Sequence, residues 1–403
     1  MSDIKDQKEV QQFVKNLSGK TKLNASKISN AMGLSRQTYQ KKVDTLREQN
    51  IISNFTININ PYIRPNNLKY VMIEIKTNPK EPKIVEELLT IPQMVMLDGI
   101  VGEYSLFALF IFNSQEEYYQ TLKLIDETMA KSYFKKYQII ETIRVFKTNG
   151  ISLRNLKISF DAAKKFDLKR IARTNSEINY NPEKFPGLVS SIKDLNVTIV
   201  IFENGKIVID GLNRDVKINE VEARVENYLR KLGIKFDEIA HNQNSDLDKI
   251  DYEILSILRD GQGLKPISTY EMKNIFNTQL NLEISQSTIH NRIKKLEQQG
   301  IILNYTVNFS PVDIGFKGKY LLRIKPKDLS KYNDLASRLE LNKNITDLFR
   351  IGEQYGLLAI VRVKKVEDYS SFIRKLYLTE EIEDTFTNFI LDELKPYTNF
   401  VIF

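Results

Sequence analysis

One stretch of this sequence is written twice. "SRQTYQKKVDTLREQNIISNFTININP" (35–61) and "SQSTIHNRIKKLEQQGIILNYTVNFSP" (285–311) align without a gap. The matches run from end to end: Ser35/Ser285, Thr38/Thr288, Val43/Ile293, Leu46/Leu296, Ile51/Ile301, Ile52/Ile302, Asn54/Asn304, Phe55/Tyr305 and Pro61/Pro311. So many matches at one offset of 250 residues mark an internal duplication. The fold must therefore use one unit twice.

Each copy has the same local logic. A serine caps a helix by accepting a backbone N–H. Val43 and Leu46, and Ile293 and Leu296, have the i, i+3 spacing of one buried helical face. Asn50 or Gly300 then stops the helix, because both residue types tolerate a left-handed backbone. The alternating segments "IISNFTININ" and "IILNYTVNFS" predict a strand pair, or wing. Upstream, "LNASKISNAMGLS" (23–35) supplies a further helix, a turn at Gly33 and the capping serine. In the second copy "LDKIDYEILSILRDG" (247–261) supplies the first helix, with Ile250, Ile254, Leu255 and Leu258 on one stripe. The sum is a winged helix-turn-helix, whose second helix enters the major groove and reads base edges. The exposed positions expected there are Arg36, Gln37, Gln40 and Lys41, and Gln286, Ser287, His290, Asn291 and Lys294. Their donors and acceptors suit base edges and phosphates.

About 80 residues with a second shared rhythm follow each copy. From "LKYVMIEIKT" to "YQIIETIRVF", and from "GKYLLRIKP" to "FTNFILDEL", both spell β-α-β-β-α-β, the ferredoxin-like plan. Both carry Gly-Glu in the central hairpin, Gly102-Glu103 and Gly352-Glu353. With "LDKIDYEILSIL" and "EQQGIILNYTVNFSPVDIGF", these features resemble the leucine-responsive regulator (Lrp/AsnC) family over residues 1–147 and 245–403. The resemblance implies sheet domains that pair face to face and, in some members, an amino-acid effector near the hairpin. Gly102, Glu103, Gly352 and Glu353 are the candidate effector positions, although "GEYS" and "GEQYG" depart from the family's Gly-Asp-Tyr-Asp. Two copies in one chain suggest an intramolecular pseudo-dimer, with pairing between chains the alternative.

Residues 151–240 belong to neither copy. "ISLRNLKISF" predicts a strand, "DLKRIART" a short helix, "NVTIVIF" and "KIVIDGL" a hairpin around "ENG", and "INEVEARVENYLRKLGI" an amphipathic helix. Val197, Ile199, Ile201, Ile207 and Ile209 share the face that packs on helices; Thr198, Val200, Phe202, Lys206, Val208 and Asp210 share the other. "YNPEKFPGL", "VIFENGKIVIDGL" and "YLRKLGI" resemble one repeat of the TATA-binding protein, a minor-groove saddle that kinks DNA with apolar wedges. That resemblance assigns Phe185 and Phe202 as the wedge pair, Asn155 to the groove floor, Val200 and Val208 to van der Waals contacts, and Lys184 and Lys206 to phosphates. Lys157, Asp210 and Ser191 depart from the family pattern, and a single repeat is half a saddle. Its apolar face would meet DNA, a protein partner such as a general transcription factor, a second chain's lobe, or its own winged-helix neighbours.

The expected fold class is thus α+β. A winged helix-turn-helix (1–65), a ferredoxin-like domain (66–148), a half-saddle with helices on one face (149–240), a second winged helix-turn-helix (245–313) and a second ferredoxin-like domain (314–403) follow in order. Lys+Arg of 59 against Asp+Glu of 51, a net charge of +8, suits either an anionic partner such as double-stranded DNA or solubility alone. Cysteine is absent and there are two histidines, which excludes disulfides and thiolate sites and argues against a histidine metal site or Ser-His-Asp triad. No enzyme, metal or cofactor is expected. The polar start is no signal peptide, and no apolar run is long enough to span a membrane, so a cytoplasmic, nucleoid-associated protein is expected. Together the two resemblances suggest an archaeal DNA-binding transcription regulator. The alternatives are an architectural chromatin-like protein and an adaptor for general transcription factors.

Overall fold

The computed structural model of the chain describes residues 4–19, 22, 25–63, 67–153, 158–162, 165–175, 178, 180–182, 186–192, 197–203, 206–210, 218–234, 239–240 and 247–403. The chain divides into two compact units: Met1–Ser152 with Leu247–Ile293 and Ile302–Phe403, and Leu153–Asp246 with Lys294–Ile301.

Along the chain, helices α1 (Ile4–Asn16), α2 (Ala25–Ala31) and α3 (Arg36–Glu48) precede strand β1 (Ile52–Ile59). Then come β2 (Lys69–Lys76), α4 (Pro82–Leu89), β3 (Met94–Ile100), β4 (Leu106–Phe112), α5 (Gln115–Ala130), β5 (Lys136–Thr148) and β6 (Ile151–Ser152). The second unit holds β7 (Ile158–Ala162), α6 (Leu168–Thr174), β8 (Gly187–Ile192), β9 (Val197–Phe202), β10 (Lys206–Asp210), α7 (Ile218–Lys231) and β11 (Ile239–Ala240). The chain continues with α8 (Lys249–Asp260), α9 (Thr269–Thr278), α10 (Gln286–Gln298, whose residues from Lys294 group with the second unit), β12 (Ile302–Phe309) and β13 (Gly318–Pro326). It ends with α11 (Tyr332–Leu339), β14 (Ile345–Ile351), β15 (Leu357–Val363), α12 (Asp368–Thr379) and β16 (Ile382–Glu393).

The wing expectation needs correction. Neither alternating segment folds back on itself; β1 and β12 are single strands paired antiparallel with each other. Thr56 faces Thr306 and Asn58 faces Asn304, so the 250-residue sequence offset and the strand register share one pseudo-twofold centre. The outer edges are also used crosswise. Gly263, just after α8, accepts the Phe55 N–H at 3.0 Å, while Gly19, just after α1, exchanges two bonds with Tyr305 at 2.8 and 2.9 Å. Leaving those edges unpaired would strand buried backbone groups. The core beneath α1–α3 is accordingly shared: Phe13, Val14, Tyr39, Val43 and Leu46 pack with Val307 and Phe309 of β12 and with Phe400 and Ile402.

The two β-α-β-β-α-β halves form one closed circuit of eight strands, β14-β15-β13-β16-β3-β4-β2-β5, with β5 returning to β14. Closure depends on two long strands that change partners midway. Lys136–Glu141 of β5 pair with β2, and Thr142–Lys147 pair with β14. Likewise β16 pairs with β13 up to Phe389 and with β3 from Ile390. Alternation then sorts the side chains. Val71, Ile73 and Ile75 of β2 join the core under α4 and α5, leaving Tyr70, Met72 and Glu74 on the inward face. Tyr320, Leu322 and Ile324 of β13 pack under α11 and α12, leaving Lys319, Leu321 and Arg323 inward.

The second unit is a sheet of order β11-β7-β10-β9-β8. Val197, Ile199, Ile201 and Ile207 pack with Leu188, Ile171, Val225 and Leu229, so the helix-facing side matches the alternation of the hairpin. "ISLRNLKISF" is not one strand of this sheet: Ile151 and Ser152 pair with β5 of the first unit, and β7 starts at Ile158.

Candidate nucleic-acid interface

Helices α3 and α10 begin the same way. Ser35 Oγ accepts the Thr38 N–H at 3.1 Å and lies 2.8 Å from the Thr38 hydroxyl. Ser285 Oγ accepts the Thr288 N–H at 3.0 Å and also lies 2.8 Å from the Thr288 hydroxyl. Each cap satisfies an N–H that the helix itself cannot. Asn50 (φ 57°) and Gly300 (φ 66°) stand just past the two helices in the left-handed region. Tyr39, Val43 and Leu46 are buried on α3, as are Ile289, Ile293 and Leu296 on α10.

The opposite faces carry the expected polar groups. Arg36, Gln37 and Lys41 are exposed on α3, and Gln286, Ser287, His290, Asn291 and Lys294 on α10. Gln40 is a correction: it is half-buried, and its amide donates to Asp44 Oδ1 at 2.9 Å, one turn along the helix. Gln286 is partly engaged too, donating to Thr269 Oγ1 at 2.9 Å and tying the start of α10 to the start of α9.

Arg292 was not singled out from sequence, yet it fixes the attitude of α10. Its Nη1 donates to both Asp248 oxygens at 2.8 and 2.7 Å and to Asp251 Oδ1 at 2.9 Å. Those aspartates form the capping box that opens α8. Burial works against the guanidinium charge, but the two aspartates outweigh it and raise the Arg292 pKa further. The "LDKID" spacing was the available signal. At the aligned position of the first copy, Lys42 Nζ stands 5.7 Å from the Phe13 ring centre instead.

The candidate effector loops differ from each other. Glu103 is exposed and pairs with Lys136 at 2.5 Å, beside Gly102 at φ 144°. Glu353 is held at 2.9 Å by Arg323, which also reaches Glu74 and Asn388 at 2.8 Å, and the Gly352 N–H is taken by Glu141 O. In the second unit the outer sheet face aligns Val189, 46% exposed, with half-buried Thr198, Val200 and Phe202. Lys206 and Val208 lie on β10, with Val208 opposite Val200. Asn155, Lys184 and Phe185 lie outside the described residues. Among the described residues no group of three His, Asp or Glu could hold a metal ion, and no helix is long and apolar enough to cross a membrane.

Comparison with known proteins places these features. Residues 320–400 match the Lrp/AsnC ligand binding domain, and residues 150–232 match Transcription factor TFIID (or TATA-binding protein, TBP). The HTH-type transcriptional regulator FL11 of Pyrococcus abyssi is 30% identical over 156 residues, 39% of this chain and 97% of that protein. The TATA-box-binding protein of the same organism is 33% identical over 91 residues, 22% of this chain and 48% of that protein. The siroheme decarboxylase NirDL aligns over 96% of this chain and 91% of its own at 9% identity and a TM-score of 0.48, a likeness too weak to carry a functional argument. A relative matched at this identity over nearly its full length, with a family domain at residues 320–400, decides the kinship: the chain belongs to the Lrp/AsnC family of HTH-type transcriptional regulators.

Proposed function

We propose that the chain is a sequence-specific DNA-binding transcription regulator that carries two helix-turn-helix readers within one polypeptide. The observation that carries this is the pair of serine-capped helices α3 and α10. Both bury one apolar face and present Arg36, Gln37 and Lys41, or Gln286, His290 and Asn291, on the other. These side chains lie at the N-terminal ends, where recognition helices meet base edges. Arg36, Lys41 and Lys294 would take phosphates, so affinity should fall steeply with salt. The TATA-binding-protein-like unit adds minor-groove contact through the face holding Val200 and Phe202. No catalytic step, metal or cofactor enters this function.

Selection of binding sites from random duplex DNA by the intact chain tests it. The expected motif has two half-sites spaced by about one helical turn, or a multiple of it. Absence of any enriched motif would show an architectural protein without sequence preference. Exposed Val189 beside Val200 favours a second reading for the central face, a protein partner such as a general transcription factor. If Phe202→Ala leaves DNA affinity and bending unchanged but abolishes capture of such a factor without DNA, that second reading holds.

A further inference from the structure

Between the β1–β12 ribbon and the near end of the strand circuit lies a cleft of about 660 Å³, within the first unit. The groove-reading function leaves it unused. Ile57, Ile59, Leu109 and Ile360 give it an apolar wall, and amides and hydroxyls are interspersed. Most charges on its lining are cancelled in place. Arg362 grips Glu393 at 2.6 and 2.9 Å, Lys319 adds a 3.3 Å contact, and Arg259 pairs with Asp260 at 2.8 Å. Glu117 caps its own helix region through the Asn113 N–H at 2.7 Å and the Gln93 amide at 2.9 Å.

Besides Glu117, two lining charges on opposite walls have no ion-pair partner among the described residues, although Arg362, Lys319 and Lys147 act on Asp347, and Asp260 on Lys395, from farther off. Asp347 accepts the Asn149 N–H at 2.8 Å and has no cation within ion-pair distance among the described residues. Lys395 donates to the Met94 carbonyl and likewise has no carboxylate partner among them. Burial raises the Asp347 pKa and lowers that of Lys395, so each charge would gain from an opposite one. They stand on opposite walls. Asp347 is on β14, while Lys395 follows β16 and its own N–H bonds to Leu97 of β3, four strands away in the circuit of eight. Strands ~4.8 Å apart and tilted by ~40° close a ring roughly 15 Å across. A free α-amino acid, with adjacent charges, cannot reach both. An extended chain rising about 3.3 Å per residue reaches across in about four residues.

We propose that the cleft binds a short apolar peptide, with its terminal ammonium on Asp347 and its terminal carboxylate on Lys395. The inference does not depend on DNA binding. The probe is the tetrapeptide Ala-Leu-Leu-Ala, measured by calorimetry and thermal shift on the intact chain. Its N-acetylated form, its C-terminal amide and free leucine are the comparators. The free peptide should bind and raise the melting temperature, as a native-state ligand does. Capping either end should cost at least about tenfold in affinity, the ratio equivalent to 1.4 kcal/mol. In Asp347→Asn the acetylated and free peptides should bind alike; in Lys395→Met the amide and free peptides should. If a variant does not fold, the cap comparison on the unaltered chain still decides. Lack of binding by the free peptide, binding indifferent to both caps, or equal binding of leucine overturns the proposal.

Discussion

The strand circuit is sealed at two seams related by the same pseudo-symmetry, and each buries a lysine with different partners. At the β16–β3 seam Glu393 faces Asp98, and Lys319 reaches both carboxylates, at 2.6 and 3.3 Å, beside Arg362. At the β5–β14 seam buried Lys147 stands opposite Leu348 and donates to the Asn342 carbonyl at 2.8 Å, burial lowering its pKa to about 8, and Arg144 stands opposite Arg350; the Tyr62 hydroxyl takes the Val145 N–H and returns a bond to the Val145 carbonyl, both at 2.9 Å, and Tyr70 meets Phe349 at 5.9 Å between ring centres. Buried charges are expensive unless fully partnered, so the net stability that the charged seam supplies is much smaller than the cost of breaking it. Two second copies paired together would set Lys319 against Leu348, which aligns with Asp98. The ammonium would lose that aspartate. At this seam the two halves are complementary rather than interchangeable.

Breaking the charged seam should have the largest effect. Lys319→Ala leaves Asp98, wholly buried, without its cation, and denaturant unfolding of the first unit should show a loss of about 3–5 kcal/mol. The pair Lys319→Met with Asp98→Leu should recover most of it. Recovery would show that the quartet selects a partner; failure to recover would make it a stability element instead. Acid should act at the same place, somewhat more weakly. Burial would raise the Glu393 carboxyl, but Lys319 and then Arg362 outweigh it and hold it down at about 2. A depressed folded pKa stabilises above the ordinary carboxylate range and is lost as pH falls toward 2. Asp98 acts in the opposite sense, its carboxyl pushed up by burial despite Lys319, so the net acid loss should be smaller than the Glu393 shift alone implies. Glu393→Gln should flatten this acid dependence.

The β5–β14 seam should respond less to loss of its tyrosine hydroxyl. Tyr62→Phe removes one hydroxyl from two backbone bonds, and urea titration should show a loss of about 1–2 kcal/mol with no added pH dependence. The smallest effects belong to helices α3 and α10: Ser35→Ala and Ser285→Ala should each cost about 1 kcal/mol by thermal unfolding, since both lose the same cap.

The unequal seams also mark what could be read from sequence. Helices α3 and α10 were legible because serine cap, i, i+3 stripe and left-handed stop are local signals. The helix-facing Val197, Ile199 and Ile201 were legible from alternation alone. Alternation in "IISNFTININ" declares a strand, yet it names no partner, and the partner was the other copy. The midway exchange of partners by β5 and β16 was illegible for the same reason. Asp98 and Lys319 are 221 residues apart, with no periodicity linking them. Gln40 shows the limit at the site: its spacing placed it on the polar face, while a local bond to Asp44 holds its amide.

The central claim is that α3 and α10 together read DNA from one chain. Fluorescence anisotropy on a duplex obtained by site selection tests it most directly, comparing the unaltered chain with the combined variant Arg36→Ala, Lys41→Ala, Gln286→Ala, Asn291→Ala. These side chains are exposed, and only the Gln286 bond to Thr269 is lost among the bonds described above, so the variant should stay folded and melt close to the unaltered chain. Its affinity should fall by about 100-fold or more, with a shallower salt dependence. Unchanged affinity and salt slope in a folded variant would contradict the account.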